Sequence, residues 1–260
     1  MMTDLTGFQN LLGLKDKNEK KTLLLLLLSS LTFAQKKVES QQLLWYGYYN
    51  QLKFNSNWTL HSEIQERQFY NPAAQHQLVF RSNLDRKLID NINGSVGMVL
   101  FLQSPNNPES KSKLIVPELR PDIGFNSKKK YSFFSINHRY KLEARFFHQT
   151  ENNELKGGFI FSNFRFRYQL GFDFPLVKKE KEEKLIFKIK DEVMFNAGSK
   201  IIKNVFDQNR IYTALNYKFD KNFSIELGYM NWFQQKTTGN EFYDRNIIRF
   251  SIFHNIDLSK

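Results

Sequence analysis

The stretch Phe133–Phe147, "FFSINHRYKLEARFF", decides the fold class. Its odd positions include Ser135, Asn137, Arg139, Lys141, Glu143 and Arg145. Its even positions are Phe134, Ile136, His138, Tyr140, Leu142, Ala144 and Phe146. Successive side chains of a strand point to opposite faces, so this segment has one ionic and one apolar, aromatic face. A slip of one residue would exchange the two faces, and the pattern therefore fixes which way the strand looks.

The same period of two recurs along the chain. In Phe159–Phe174, Arg165 and Arg167 alternate with Phe164, Phe166, Tyr168 and Leu170. Trp58–Tyr70 places His61, Glu63, Gln65 and Arg67 on one face, and Gln77–Leu88 sets Arg81, Asn83, Asp85 and Lys87 against Leu78, Phe80 and Leu84. Leu114–Phe125 opposes Glu118, Arg120 and Asp122 to Leu119 and Ile123. In Leu185–Phe195 the charged face holds Lys188, Lys190 and Glu192. Arg210 belongs to Asn209–Phe219, Glu226 to Asn222–Phe233, and Arg245 and Arg249 to the last segment. Gln41–Phe54 and Ile92–Gln103 are strand-like but less regular.

Short turns are expected at 55–57, 90–91, 126–130 and 220–222, with a short charged turn at Val177–Lys184. Longer polar loops are expected at 71–75, 104–113, 149–156, 196–206 and 235–241. Alternating short and long connections describe an all-β, antiparallel up-and-down barrel with unlike ends. Eleven candidate segments are visible. An even number is expected when both termini lie on one side, so about 10–12 strands bracket the count.

The N-terminus supplies a destination. Lys15, Lys17, Lys20 and Lys21 precede six leucines, Leu23–Leu28, and then Thr32-Phe33-Ala34. That order is a secretory leader over residues 1–34, cleaved after Ala34, with the barrel over 35–260. The lead-in before Lys20 is longer than usual and is consistent with an over-extended start. The chain of 260 residues has no cysteine, so disulfides, thiolate metal sites and a catalytic thiol are excluded. A formal charge of +12 would ordinarily point to nucleic acid, but a chain with 26 Phe, many of them on strands that also carry charge, points to lipid. The expectation is a transmembrane barrel in the outer membrane, apolar outside and ionic inside. Tyr46, Tyr48, Trp58, Tyr70, Tyr168, Tyr217, Tyr229 and Trp232 are expected in interfacial girdles or on the lipid face.

The ordered motifs "WYGYYNQLKF", "EIQER", "VPELRPDIGF", "YKLEARF", "FRFRYQL", "KDEVMFN", "DQNRIYTAL" and "IELGYMNWF" resemble an exported Gram-negative family catalogued as domain of unknown function 2490. The resemblance runs from about Gln41 to the C-terminus. It implies an outer-membrane barrel and carries no established activity, ligand or functional residue.

Searching for chemistry yields little. His61 and Glu63 share a face and could orient an imidazole, though a plain polar lumen explains them better. No phosphate loop or metal-binding histidine pair appears. The expected function is therefore non-enzymatic and without cofactor: a structural barrel or narrow pore with a mixed-charge, net basic lumen. Its partners would be outer-membrane lipid and the barrel-insertion machinery, not nucleic acid. The alternatives are a lipid-modifying envelope enzyme and a secreted, soluble basic β protein that binds a ligand.

Overall fold

The computed structural model describes residues 36–180 and 182–259; the expected leader lies outside them. Eleven strands follow in order: β1 Lys37–Lys53, β2 Trp58–Phe69, β3 Ala74–Ile89, β4 Ile92–Gln103, β5 Val116–Lys130 and β6 Ser135–Glu151. Then come β7 Glu154–Lys179, β8 Glu182–Ala197, β9 Phe206–Lys218, β10 Phe223–Gln235 and β11 Glu241–Asp257. Each pairs with its sequence neighbours, and β1 meets β11 to close a barrel.

All ten consecutive pairs are antiparallel. With an odd number of strands, β1 and β11 then run in the same direction. The contacts across the seam show it. Arg245 Nε donates to Gln41 Oε1, Asn50 Nδ2 to the His254 carbonyl, and Lys53 Nζ to Asp257 Oδ2. In all three the partners are 204 positions apart. A constant difference, rather than a constant sum, is the mark of a parallel pair. The even count expected from barrel convention is thus replaced by eleven strands and one parallel closure.

Four connections differ from the sequence reading. β3 begins at Ala74 and leaves a short connection, 70–73, where the sequence predicts a longer loop over 71–75. β7 runs to Lys179 and β8 starts at Glu182, inside the expected turn Val177–Lys184. The lysines Lys128–Lys130 prolong β5, and the turn falls at 131–134. The polar segment 149–156 is not a loop: β6 and β7 continue through it to a two-residue turn at Asn152 and Asn153. Both asparagines have positive φ, 51° and 62°, as a tight hairpin requires. One end has short connections alone; the other has the longer ones, 104–115, 198–205 and 236–240, together with the short ones at 70–73 and 152–153.

The outer face is apolar all the way round. Tyr48 opposes Ile64, Ile64 opposes Phe80, and Ile123 opposes both Val96 and Leu142. The series continues through Phe166 opposite Phe195, Leu215 opposite Leu227, and Leu227 opposite Phe250. Every strand carries at least one exposed large apolar side chain. Strands of 12–26 residues exceed the 9–11 that cross a bilayer. Soluble monomers rarely expose a contiguous apolar surface on this scale.

Eleven strands spaced about 4.8 Å apart and tilted about 40° make a backbone ring roughly 22 Å across. Long side chains from opposite walls can meet inside such a ring, and here they do.

Candidate functional site

The inward positions form three layers. Nearest the short turns, His61 Nε2 lies 3.5 Å from Asp85, Asn126 donates to Asp85, and Lys128 reaches Asp173 at 3.0 Å. His61 therefore faces Asp85 and not Glu63, and the imidazole–Glu63 pairing considered from sequence does not form. Lys190 stands over the Tyr212 ring, and Lys188 donates to Glu226 at 2.6 Å, bridging from β8 to β10.

The middle layer is an ionic lattice with near balance of sign. Arg81 pairs with Glu63 at 2.5 Å, and Lys141 with Asp122 at 2.6 Å. Arg167 donates to Glu143 at 2.5 Å and to both oxygens of Glu192. Glu192 also accepts from Arg139, and Glu143 has Arg120 at 3.8 Å. Arg249 donates to the Tyr49 hydroxyl, whose ring stacks on Phe253. Glu143 and Glu226 are each 1% exposed. Charges so far from water persist only when paired and hydrogen-bonded. Gly228 leaves space in this layer: a Cβ there would come within 2.6 Å of the Tyr212 ring, whose hydroxyl donates to Glu226.

The layer nearest the long loops has a different character. Glu118 takes Arg120 at 2.6 Å and Arg145 at 2.5 Å, and it also accepts from Gln103. Arg165 Nε lies 3.0 Å from Asp207. Arg67, Arg210 and Arg245 have no carboxylate within 4.0 Å among the described residues. They stack on aromatic faces instead: Arg67 lies 3.9 Å from Trp45, Arg210 4.5 Å from Trp232, and Arg245 4.4 Å from Trp232. Such contacts suit guanidinium, which is weakly hydrated and planar. Six arginines and two carboxylates, Glu118 and Asp207, make this end strongly positive.

Trp232 is therefore misplaced by the sequence reading. It is 3% exposed and points inward, on the same even parity as Glu226, sandwiched by two guanidiniums. Two further residues of this layer escaped the alternation. Trp45 is buried beside Arg67. His76 turns inward because the β2–β3 register jumps from Arg67–Gln77 to Gln68–Gln75, leaving it as a bulge. Its ring meets Trp232 from across the lumen, with centroids 5.9 Å apart. A bulge shifts parity by one, and no composition cue in "AAQHQ" announces it.

The β4–β5 connection roofs this layer. Asn106 accepts from Gln41 at 2.9 Å through its carbonyl and from Arg245 at 3.2 Å through Oδ1, and it lies 3.4 Å from His76. Beneath it lies a cavity of about 50 Å³. Arg67, Arg120, Arg145, Arg165 and Arg210 line it, together with Trp232, Phe101, Asn106 and four glutamines.

The chain is similar in fold to a solved structure described as the NanC porin in a rhombohedral crystal form. The identity is 11%, the TM-score 0.46, and the likeness covers 77% of this chain and 92% of that one. No curated protein matches. Residues 42–243 match the family described as "Protein of unknown function (DUF2490)", and on that match the chain belongs to this family.

Proposed function

We propose that this protein spans the outer membrane of a Gram-negative cell as a barrel closed by its own side chains, and serves as a non-enzymatic structural element rather than a diffusion pore. One observation carries the reading. Large apolar side chains are exposed on every strand, while Glu118, Glu143, Glu226 and Arg245 inside are at most 1% exposed. A soluble barrel has the reverse arrangement, with its apolar face inward. A closed sheet satisfies every backbone group without water, which is what hydrocarbon demands. The leader expected over residues 1–34 supplies the route.

Lumen filling argues against free diffusion. The arginine-lined cavity is far smaller than a hydrated passage. Ion pairs tie next-but-one strands along the inner wall (β5 to β7, β6 to β8, β8 to β10), and His76 of β3 meets Trp232 of β10 across the lumen. The test has two parts. After fractionation the protein should resist carbonate extraction and migrate differently on a gel before and after boiling. Purified protein in planar bilayers should then give no sustained current. Release by carbonate alone would overturn the membrane assignment, and steady ohmic conductance would overturn the closed lumen.

A further inference from the structure

We propose that the arginine chamber under Asn106 binds a small, freely diffusing oxyanion of the phosphate or sulfate type. The inference rests on the closed lumen proposed above, since an open channel would hydrate these groups.

The chamber carries more positive charge than its carboxylate partners balance. Five guanidiniums line it, and no carboxylate does. Three of them have carboxylate partners behind them: Arg120 and Arg145 share Glu118, and Arg165 has Asp207. Arg67 and Arg210 stack on tryptophan and hydrogen-bond only to amides. Arg67 donates to Gln77 at 2.7 Å and to Gln65 at 2.8 Å, whereas Arg210 makes one long bond of 3.4 Å to Gln208. Donors are also left over. Arg210 Nε and Trp232 Nε1 are buried without a hydrogen-bond partner, and both residues line the chamber. A buried donor left unmade is costly, and a buried charge left uncompensated more so.

Water could fill the space but would not neutralise it. About 10–15 Å³ of such volume holds one water, so 50 Å³ holds a few waters or one tetrahedral oxyanion. Guanidinium forks match oxygen pairs on phosphate or sulfate, and the surplus here is donors. Chloride offers one centre and lacks the paired oxygens that a guanidinium fork engages bidentately.

The position fits an anion arriving from the long-loop side. On β2, β9 and β10 each of these chamber residues has a polar residue directly before it in the chain: Glu66 before Arg67, Asn209 before Arg210 and Asn231 before Trp232. Asn231 donates to Asp244 at 2.6 Å, making a polar rim there above the apolar belt. Lipid headgroups meet the outer wall, whereas the residues lining the chamber lie inside the barrel, so the source is a free anion.

The test is thermal unfolding of the purified full barrel in detergent, in sodium phosphate against sodium chloride at equal ionic strength. Phosphate at about 100 times its Kd should raise Tm by about 5–10 °C. Arg210→Gln and Arg67→Gln should each lose most of that rise, and Lys130→Gln at the other end should keep it. Micelles doped with phosphatidic acid should not reproduce it. Phosphorus NMR on the parent gives a second readout that needs no variant: the phosphate line should broaden with protein and sharpen when sulfate, but not chloride, is added. An equal rise in chloride, an unchanged rise in both arginine variants, or a phosphate line indifferent to the protein would overturn the site. A conducting barrel that still shows an Arg210-dependent rise would refute the closed lumen and leave the site standing.

Discussion

A buried carboxylate between guanidiniums is the unit from which this interior is made. Glu143 is the clearest case, 2.5 Å from Arg167 and 3.8 Å from Arg120. Removing its charge leaves Arg120 to Glu118 and Arg167 to Glu192, two neighbouring buried guanidiniums with one counter-charge fewer. Breaking a buried pair in this way costs about 3–5 kcal/mol, whereas an exposed pair contributes about 0–1 kcal/mol. Glu143→Gln is thus expected to melt well below the parent in detergent at low ionic strength, with Glu151→Gln, at the exposed hairpin tip, unchanged. Equal melting of the two would contradict the packed lattice. Gly228 makes a second, steric prediction. Gly228→Leu must displace the Tyr212 ring and its bond to Glu226, and should cost about 1–3 kcal/mol measured as denaturant midpoint. At this scale the sequence was legible by parity alone. It put Glu143, Arg165 and Arg167 on one face, but the pairing of Arg165 with Asp207 rather than Glu143 depends on a strand two places away. Trp232 shows the complementary failure: residue type argued for an interface, although its parity with Glu226 already argued for the lumen.

Strands carry the membrane reading. Phe166 on β7 is 52% exposed on the outer face, and Gln169 on the same strand points inward between Arg139 and Glu192 in register. Arginine on the lipid face near mid-depth costs about 2–4 kcal/mol. Phe166→Arg should accordingly reduce the folded, heat-modifiable fraction several-fold in membranes, and Gln169→Arg should insert nearly as the parent does. Equal insertion would mean that the faces are exchanged. Alternation made these elements readable because a period of two survives any error in where a strand stops. Strand ends were less readable. Lysines at 128–130 and the run at 149–156 look like loop composition, yet both continue ladders out beyond the apolar belt, where polar strands meet no penalty. Bulges were invisible, since inserting one residue leaves composition untouched while reversing parity locally, as at His76.

For the whole molecule, sign separates along the axis. The middle layer pairs arginine and lysine with carboxylates nearly one to one, and the long-loop layer holds the positive excess. Raising salt should therefore destabilise the barrel little, because the middle pairs are shielded from ions that the Debye argument applies to in water. A melting curve that collapses between low and high sodium chloride would show that solvent reaches the lattice. The parallel seam has its own consequence, which concerns the order of assembly. Ten of the eleven pairings join strands consecutive in the chain, each reachable by growing a hairpin. The eleventh joins residues 204 positions apart and has no turn to guide it. Loop-closure entropy makes such a contact the slowest to form, and its slanted bonds are slightly weaker than those of an antiparallel neighbour. Closure should thus be the last kinetic step. Until it happens, β1 and β11 are two open edges whose unpaired backbone cannot enter hydrocarbon without help. A chain ending at Gly239 keeps every hairpin up to β10 but has no partner for β1, and it should stay protease-sensitive and never acquire heat-modifiable migration, however long it is left to fold.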